Sequence, residues 1–370
     1  MKLDKVGRAL VVAMSTVLIG CSVLTGCGRD SNLKGGSPAS TAPVNCGGKS
    51  DLTAEGSTAQ ENAITVFVQA WTTQCPGKNL TYNPTGSGAG REQFIANHVD
   101  FAGSDSPIGG DQAAAATKRC NGNPVWNLPM VFGPVAVAYH IEGVNSLAVN
   151  GDVLAKIFSG IITDWSDPAI VALNPGVDLP EAKISPIYRS DSSGTTDNFQ
   201  KYLATVAPTS WTKPTGSEFQ GGVGEGAQTS QGLVEAVAST PGSIGYVEKS
   251  FADRSGLPYA QINSGSGPVA LTDNAAREAI DNATFAGTGD DLKLDMKSLY
   301  GTKAAGAYPL VLATYEIVCS KGYDAATSAA VKSFLSSSAS NGQSGLSTAG
   351  YIALPDKFKK RLATAINAIQ

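Results

Sequence analysis

Three short turns rich in serine, threonine and glycine carry residue types that bind anions. Each turn precedes a segment whose apolar residues have helical spacing. The first turn of a helix presents free N–H groups at the positive end of the helix dipole, where anions bind. The three turns could therefore surround a small anion with donors, although capping of their own helices is the simpler interpretation. The candidate ligands in these turns are Ser57, Thr58, Ala59, Ser87, Ser193, Gly194 and Thr195.

Two charged residues accompany the third turn. Arg189 offers a planar, permanently charged set of donors that suits oxyanions. Asp191 could pair with Arg189 and orient its guanidinium, or could simply belong to the turn. Arg189 is therefore a candidate anion ligand as well.

Asp105, in the sequence Ser104-Asp105-Ser106-Pro107, sets the chemistry of the predicted site. A carboxylate beside a bound anion is repulsive unless the anion has a proton to donate to it. Phosphate retains such a proton at neutral pH and sulfate does not, so Asp105 would select phosphate. The alternative is that Asp105 only caps the turn before Pro107.

Short apolar runs come before these turns and helical segments follow them. This alternation predicts parallel βαβ units, and hence an α/β protein. In open parallel sheets, ligands lie beyond the carboxyl ends of the strands. Such units place the polar turns at those ends. The Gly-rich residues 221–226 are predicted to form a loop.

Two long apolar runs without helical spacing, residues 131–139 and 308–318, predict buried strands far apart in the chain. A chain that leaves one α/β lobe and later returns to it needs two such crossings. We therefore expect residues 46–130 and 311–370 to form lobe I and residues 131–310 to form lobe II. Two hinge strands would let the cleft between the lobes close on a ligand.

The N-terminus has the pattern of an export signal. A basic start and a short apolar stretch precede Leu24-Thr25-Gly26-Cys27, which resembles a bacterial lipobox. We expect residues 1–26 to be a signal peptide and Cys27 to carry the diacylglycerol and a palmitate-like acyl chain, with Cys21 as the alternative. Residues 27–45 are predicted to form a flexible tether. The protein is then anchored at the outer face of the cytoplasmic membrane.

Four further cysteines remain for an oxidising compartment. Three connectivities are possible, and we favour Cys46–Cys75 with Cys120–Cys319. The net charge of −4 provides no field that attracts nucleic acid. With two histidines and no CxxC motif, the sequence predicts neither a metal site nor a cofactor.

Several motifs, in order, resemble the PstS family, the phosphate-binding proteins of the Pst-type ABC importer, in its actinobacterial lipoprotein form. The resemblance runs from about residue 51 to the end. Its motifs are Gly56-Ser57-Thr58, Gly86-Ser87-Gly88, residues 102–107, residues 156–160, Asp164-Trp165, residues 189–195 and residues 241–246.

The resemblance implies a type II periplasmic-binding-protein fold that holds one phosphate between its lobes. It implies that nine residues contact phosphate, namely the seven candidates of the turns together with Asp105 and Arg189. It also implies that membrane permease subunits are the partner. We expect a monomer without enzymatic activity. One departure concerns the first turn, where Ala59-Gln60 stands in place of the family's usual aromatic residue and proline.

Two other functions fit parts of the sequence. An extracellular phosphatase or serine hydrolase would use the many serines, but no G-x-S-x-G motif is present and His98 and His140 are the only candidate histidine bases. An importer receptor for a different oxyanion is the other alternative. Turnover of a phosphomonoester and competition between anions would distinguish the three.

Overall fold

A computed structural model describes residues 44–370. The expected signal peptide, the anchor Cys27 and nearly all of the expected tether lie outside the described residues. Within them, no helix is both long and apolar enough to cross a bilayer.

Eleven strands are found within residues 44–370. They are β1 (Asp51–Gly56), β2 (Asn79–Asn83), β3 (Phe101–Ser104), β4 (Val125–His140), β5 (Ala148–Val149), β6 (Ser185–Arg189), β7 (Glu225–Ala227), β8 (Ser243–Glu248), β9 (Gln261–Asn263), β10 (Pro268–Val269) and β11 (Val311–Cys319).

Twelve α-helices accompany the strands in the same part of the chain. They are α1 (Glu61–Gln74), α2 (Ser87–Ile95), α3 (Ala113–Arg119), α4 (Gly151–Phe158), α5 (Pro168–Val171), α6 (Gly194–Val206), α7 (Thr229–Ser239), α8 (Lys249–Arg254), α9 (Asp273–Asp281), α10 (Met296–Tyr300), α11 (Ala325–Ala339) and α12 (Asp356–Ala368). Short 3-10 helices span Thr58–Gln60, Gly110–Gln112 and Asn341–Gly345.

Eight strands form one mixed sheet in the order β2-β1-β3-β11-β4-β8-β6-β7, and β10-β9-β5 form a small second sheet. At one end of the large sheet, β1 runs parallel to β2 and β3. At the other end, β6 runs parallel to β7 and β8. The predicted α/β class and the parallel βαβ units are therefore confirmed.

The 16-residue strand β4 connects the two parallel regions. Its first part, from Val125 to Pro134, pairs antiparallel with β11, and its second part, from Val135 to His140, pairs antiparallel with β8. Both long strands predicted from the apolar runs are present and almost completely buried. Their runs are apolar on both faces because helices and loops cover both sides of the sheet at this point.

Aromatic side chains fill the core on either side of β4. Trp71 of α1 packs edge-on against Phe334 of α11, and Phe101 of β3 stacks on the same Phe334. Phe199 of α6 stacks on Tyr246 of β8. These contacts fix α1 and α6, the helices that begin at the first and third candidate anion-binding turns.

Both favoured disulfides are present. Cys46–Cys75 joins the segment before β1 to the end of α1, and Cys120–Cys319 joins the end of α3 to the end of β11. Their sequence separations are 29 and 199 residues. The second disulfide therefore closes a loop that contains most of the sheet.

Removal of Cys120–Cys319 should cost more stability than removal of Cys46–Cys75. The entropy that a cross-link removes from the unfolded chain grows with the logarithm of loop length, so we expect a difference of about 1.5–2 kcal/mol. Urea unfolding of the two double Cys→Ser variants, without reductant, measures it. Equal losses would show that loop closure does not control the effect.

Candidate anion-binding site

The first turn is shaped by glycine and capped by serine. At Gly56, where β1 ends, φ is +144° and a Cβ would lie 1.9 Å from the Gly103 carbonyl oxygen. Only glycine therefore fits there. Ser57 Oγ accepts a hydrogen bond from Ala59 N at 3.0 Å, which begins the 3-10 turn before α1. Tyr351 Oη donates to the Ala59 carbonyl at 2.8 Å, so an aromatic residue from elsewhere supports this turn.

Asp105 lies at the meeting point of the turns and is 4% exposed. Its carboxylate oxygens lie 2.8 and 2.7 Å from Ser57 Oγ. Ser87 Oγ lies 3.1 Å from Oδ2, and Thr314 Oγ1 donates to Oδ1 at 2.6 Å. Three hydroxyls from three separate segments therefore surround one buried carboxylate, and two of them belong to the predicted phosphate ligands Ser57 and Ser87.

Burial raises the pKa of Asp105 to about 6. The hydrogen bonds from Thr314, Ser57 and Ser87 lower it, while the nearby Glu248 raises it. Burial outweighs the hydrogen bonds because three hydroxyl groups only partly replace the water that surrounds an exposed carboxylate. At neutral pH the carboxylate therefore remains largely ionised and can accept a hydrogen bond.

The N-terminus of α6 lies directly against this carboxylate. A Cβ on Gly194 would lie 2.4 Å from Ser87 Oγ and 2.5 Å from Asp105 Oδ2. Ser193 caps the helix by accepting from Thr196 N at 3.2 Å. The positive end of the α6 dipole therefore points at the site, and glycine at position 194 allows the close approach.

The Thr195 hydroxyl is held by a second buried carboxylate. Thr195 Oγ1 donates to Glu248 Oε1 at 2.5 Å. The other oxygen of Glu248 has no hydrogen-bond partner among the described residues. Asn198 Nδ2 donates to the Asp105 and Gly194 carbonyls, both at 2.8 Å, and so fixes α6 to the Asp105 backbone.

Arg189 is buried at the end of β6 and is oriented by Asp191. Its Nε donates to Asp191 Oδ1 at 2.7 Å, and a second, shorter contact joins Nη2 to Oδ2. Its Nη1 donates to Ser230 Oγ at 3.2 Å, and that hydroxyl lies 2.8 Å from Thr58 Oγ1. The predicted pairing of Arg189 with Asp191 is therefore present, and Ser230 links it to the first turn.

The turns contact one another directly. Gly88 N donates to the Ser192 carbonyl at 2.9 Å, and Arg91 Nη2 donates to Ser217 Oγ at 3.3 Å. All nine predicted residues are buried in this region: Ser57, Thr58, Ala59, Ser87, Asp105, Arg189, Ser193, Gly194 and Thr195. Asp105 and Ser87 both lie next to Gly194.

Sequence reasoning missed Thr314, Ser230, Asn198 and Glu248. Thr314 is a polar residue within an apolar strand, and a buried hydroxyl there was an available signal. Ser230 is the second residue of α7, whereas Ser193 is the residue that caps α6. Within residues 44–370, no group of three or more His, Cys, Asp or Glu side chains could hold a metal ion.

The site thus combines many hydrogen-bond donors, the Arg189 guanidinium and, at its centre, the buried Asp105 carboxylate. Such a set fits a small oxyanion that carries a proton.

The sequence matches a known superfamily. Residues 36–341 match the model of the PBP superfamily domain. The chain is 51% identical to the phosphate-binding protein PstS 3 of Mycobacterium tuberculosis (strain ATCC 25618 / H37Rv), over 100% of both chains. It is 49% identical to PstS 3 of Mycobacterium leprae, again over 100% of both, and 48% identical to PstS 2 of Mycobacterium tuberculosis, over 96% and 98%.

Solved structures share the fold. A high-affinity periplasmic phosphate-binding protein, PfluDING, bound with phosphate, aligns with a TM-score of 0.69 at 20% identity, covering 85% of this chain and 93% of that one. The phosphate-binding protein from Stenotrophomonas maltophilia aligns with a TM-score of 0.67 at 20% identity, over 85% and 94%. The fold is therefore that of a periplasmic binding protein, as expected. The chain belongs to the PstS family of phosphate-binding proteins within the PBP superfamily.

Asp105 should make the stability of the ligand-free protein depend on pH. Because folding raises the pKa of Asp105 from 3.8 to about 6, the folded state binds a proton more tightly, and stability falls as pH rises through this range. In the wild type we expect the free energy of unfolding to fall by about 2–3 kcal/mol over this range because of Asp105, and in Asp105→Asn we expect this fall to be absent. Urea unfolding between about pH 4 and pH 7 measures it.

The exposed Asp178→Asn variant is the matched control and should follow the wild type. If the free energy of unfolding changes with pH in Asp105→Asn as it does in the wild type, Asp105 is not the group responsible.

Proposed function

We propose that this protein captures inorganic phosphate outside the cytoplasmic membrane and delivers it to the permease of an ABC importer. The observation that carries the proposal is the buried Asp105, surrounded by hydroxyls and by the N-terminus of α6. The family supports it, since the relatives are phosphate-binding proteins and one structural neighbour was solved with phosphate.

We propose nine phosphate ligands. Hydroxyl groups and backbone N–H groups of the turns would donate to the phosphate oxygens, and Arg189 would balance their charge. Rotation of the Ser57, Ser87 and Thr195 hydroxyls away from Asp105 and Glu248 would free them for the anion. The nine are Ser57, Thr58, Ala59, Ser87, Asp105, Arg189, Ser193, Gly194 and Thr195.

The selectivity for phosphate would come from Asp105. As an ionised group it can only accept hydrogen bonds, so the anion must supply a proton. Phosphate does so at neutral pH. Sulfate would leave two negative groups facing each other in a buried site without a proton between them, which is strongly unfavourable.

Closure of two lobes would trap the ligand. The described residues belong to one compact unit. Within it, we propose that residues 46–130 and 311–370 form one lobe and that residues 131–310 form the other. The pairing of β4 with β11 and with β8 supports this division. The shared strand β4 would act as the hinge. Contacts such as Gly88 N to the Ser192 carbonyl would then form on closure.

The remaining parts of the proposal concern location and partners. The lipobox supports acylation of Cys27 and attachment to the outer face of the cytoplasmic membrane. A monomer on a flexible tether could reach the membrane-embedded permease. We propose a binding function without catalysis, so steady hydrolysis of a phosphomonoester by the purified protein would contradict this account.

Isothermal titration with phosphate, arsenate and sulfate at neutral pH tests the function. We expect phosphate and arsenate to bind with about micromolar Kd or tighter, because several charge-assisted hydrogen bonds of about 1.5–3 kcal/mol each outweigh the cost of association. Sulfate should not compete. If sulfate competes as well as phosphate, the assignment is wrong.

The Asp105→Asn variant tests the source of the selectivity. We expect the preference for phosphate over sulfate to fall by at least about tenfold, the equivalent of one charge-assisted hydrogen bond. Asp178→Asn again serves as the control. An unchanged preference in Asp105→Asn would place the selectivity in other residues.

A further inference from the structure

A second carboxyl group lies deep in the sheet behind the site. Glu316, in the middle of β11, is fully buried. Neither of its carboxyl oxygens has a hydrogen-bond partner among the described residues. It lies two residues beyond Thr314 in the same strand, and alternate residues of a strand point to the same face, so it shares a face with the hydroxyl that contacts Asp105.

Two polar side chains fill the space next to Glu316. Glu316 pairs with Gly103 of β3 across the antiparallel ladder. A Cβ on Gly103 would lie 1.9 Å from Gln60 Nε2 and 2.7 Å from Tyr82 Oη. The missing side chain of Gly103 thus makes room for the Gln60 amide and the Tyr82 hydroxyl beside the carboxyl group.

The hydrogen bonds of these side chains run in one direction. Tyr82 Oη donates its proton to the Ser57 carbonyl at 2.7 Å, so it can only accept from Gln60 Nε2, which lies 3.1 Å away. This fixes the orientation of the Gln60 amide and leaves its buried Oε1 without a partner. The buried Gln60 amide oxygen therefore lacks a donor, and the buried Glu316 carboxyl group lacks any hydrogen-bond partner. A proton on the Glu316 carboxyl group would supply the donor that the amide oxygen needs.

We propose that Glu316 is a positioning residue that holds a proton at neutral pH, and that loss of this proton weakens phosphate binding. The inference rests on the proposed function. The protonated carboxyl group donates to Gln60 Oε1, Gln60 donates to Tyr82, and Tyr82 holds the Ser57 carbonyl. The chain of hydrogen bonds thus fixes the first turn of the site from behind.

The charges around Glu316 agree with this role. Burial, with the charge of Asp105 as a smaller cause, raises the pKa of Glu316 to about 8. An N–H of Gln60 that donated to the carboxylate would lower this pKa, but Gln60 Nε2 donates to Tyr82 and neither Glu316 oxygen has a hydrogen-bond partner among the described residues. The titratable groups that face it are Asp105 after β3 and Tyr82 of β2, whose pKa burial raises well above its ordinary value. The residue opposite in β4 is the apolar Leu128, and no cation among the described residues hydrogen-bonds to Glu316.

Ionisation would have two consequences for the site. It would remove the donor to Gln60 and so release the first turn. It would also place a second negative charge close to Asp105 in a poorly screened interior, which opposes the binding of an anion. Both effects weaken phosphate binding as pH rises through about 8.

Phosphate affinity of Glu316→Gln between about pH 6.5 and pH 9.5 tests the proposal. Glutamine has nearly the same shape, stays neutral, and its NH2 group can donate to Gln60 Oε1. We expect its affinity to lie within about twofold of the wild type near pH 6.5 and to be about three- to tenfold higher than the wild type near pH 9.5. The exposed Glu235→Gln control should follow the wild type.

The ionisation of phosphate itself is the same for every variant, so the ratio of affinities isolates Glu316. Superimposed profiles, or a variant that is weaker by the same factor at every pH, would overturn the proposal. The carboxyl carbons of 13C-labelled glutamate in the wild type provide a second test, which does not need a folded variant. The signal of one such carbon should titrate near pH 8. Its absence from the spectrum of folded Glu316→Gln would assign it to Glu316.

A wild type in which every glutamate carboxyl group ionises below about pH 6 would contradict the proposal even if no phosphate binds. Absence of phosphate binding at every pH, with the titration near pH 8 intact, would instead contradict the proposed function alone.

Discussion

The burial of the Asp105 carboxylate constrains the rest of the site. A charged group can lie in the interior only where donors replace the water that it loses, and here hydroxyls from Ser57, Ser87 and Thr314 do so. Ser57 follows β1, Ser87 begins α2 and Thr314 lies in β11, so the carboxylate holds three separate parts of the chain together. A bound anion with its own proton could take over part of this role. The arrangement therefore links the stability of the site to the chemistry of the ligand.

The fold meets this constraint with one long strand. Because β4 pairs with β11 in its first part and with β8 in its second part, it connects the two parallel regions that carry the anion-binding turns. The pairing between β4 and β11 shifts register between Thr314 and Tyr315. Such irregularities often lie next to functional sites, because they change the direction in which a side chain points. Here Thr314 pairs with Val131 and Tyr315 with Pro129, so the extra residue is Met130 of β4, and β11 keeps its alternation next to the hydroxyl that donates to Asp105.

Much of the site could be predicted because its parts are local in sequence. A strand, a Ser- or Gly-containing turn and a helix identify each anion-binding turn, and Arg189 and Asp191 are only two residues apart. Thr314 and Ser230 could not be placed in this way, because their roles depend on strand register and on the approach of α7 to the first turn. The predicted Gly-rich loop is present at residues 221–224, but its last two residues belong to the short strand β7, since pairing with β6, and not their own composition, makes them extended.

The central claim is that the Asp105 carboxylate accepts a hydrogen bond from a proton that the bound anion carries. A high-resolution crystal structure of the protein with phosphate tests it most directly. We predict one phosphate oxygen about 2.5–2.7 Å from an Asp105 carboxylate oxygen, the range of a charge-assisted O–H···O⁻ bond, with Arg189 and the α6 N-terminus on the same anion. Phosphate bound elsewhere, or bound here with Asp105 turned away from every phosphate oxygen, would contradict the account.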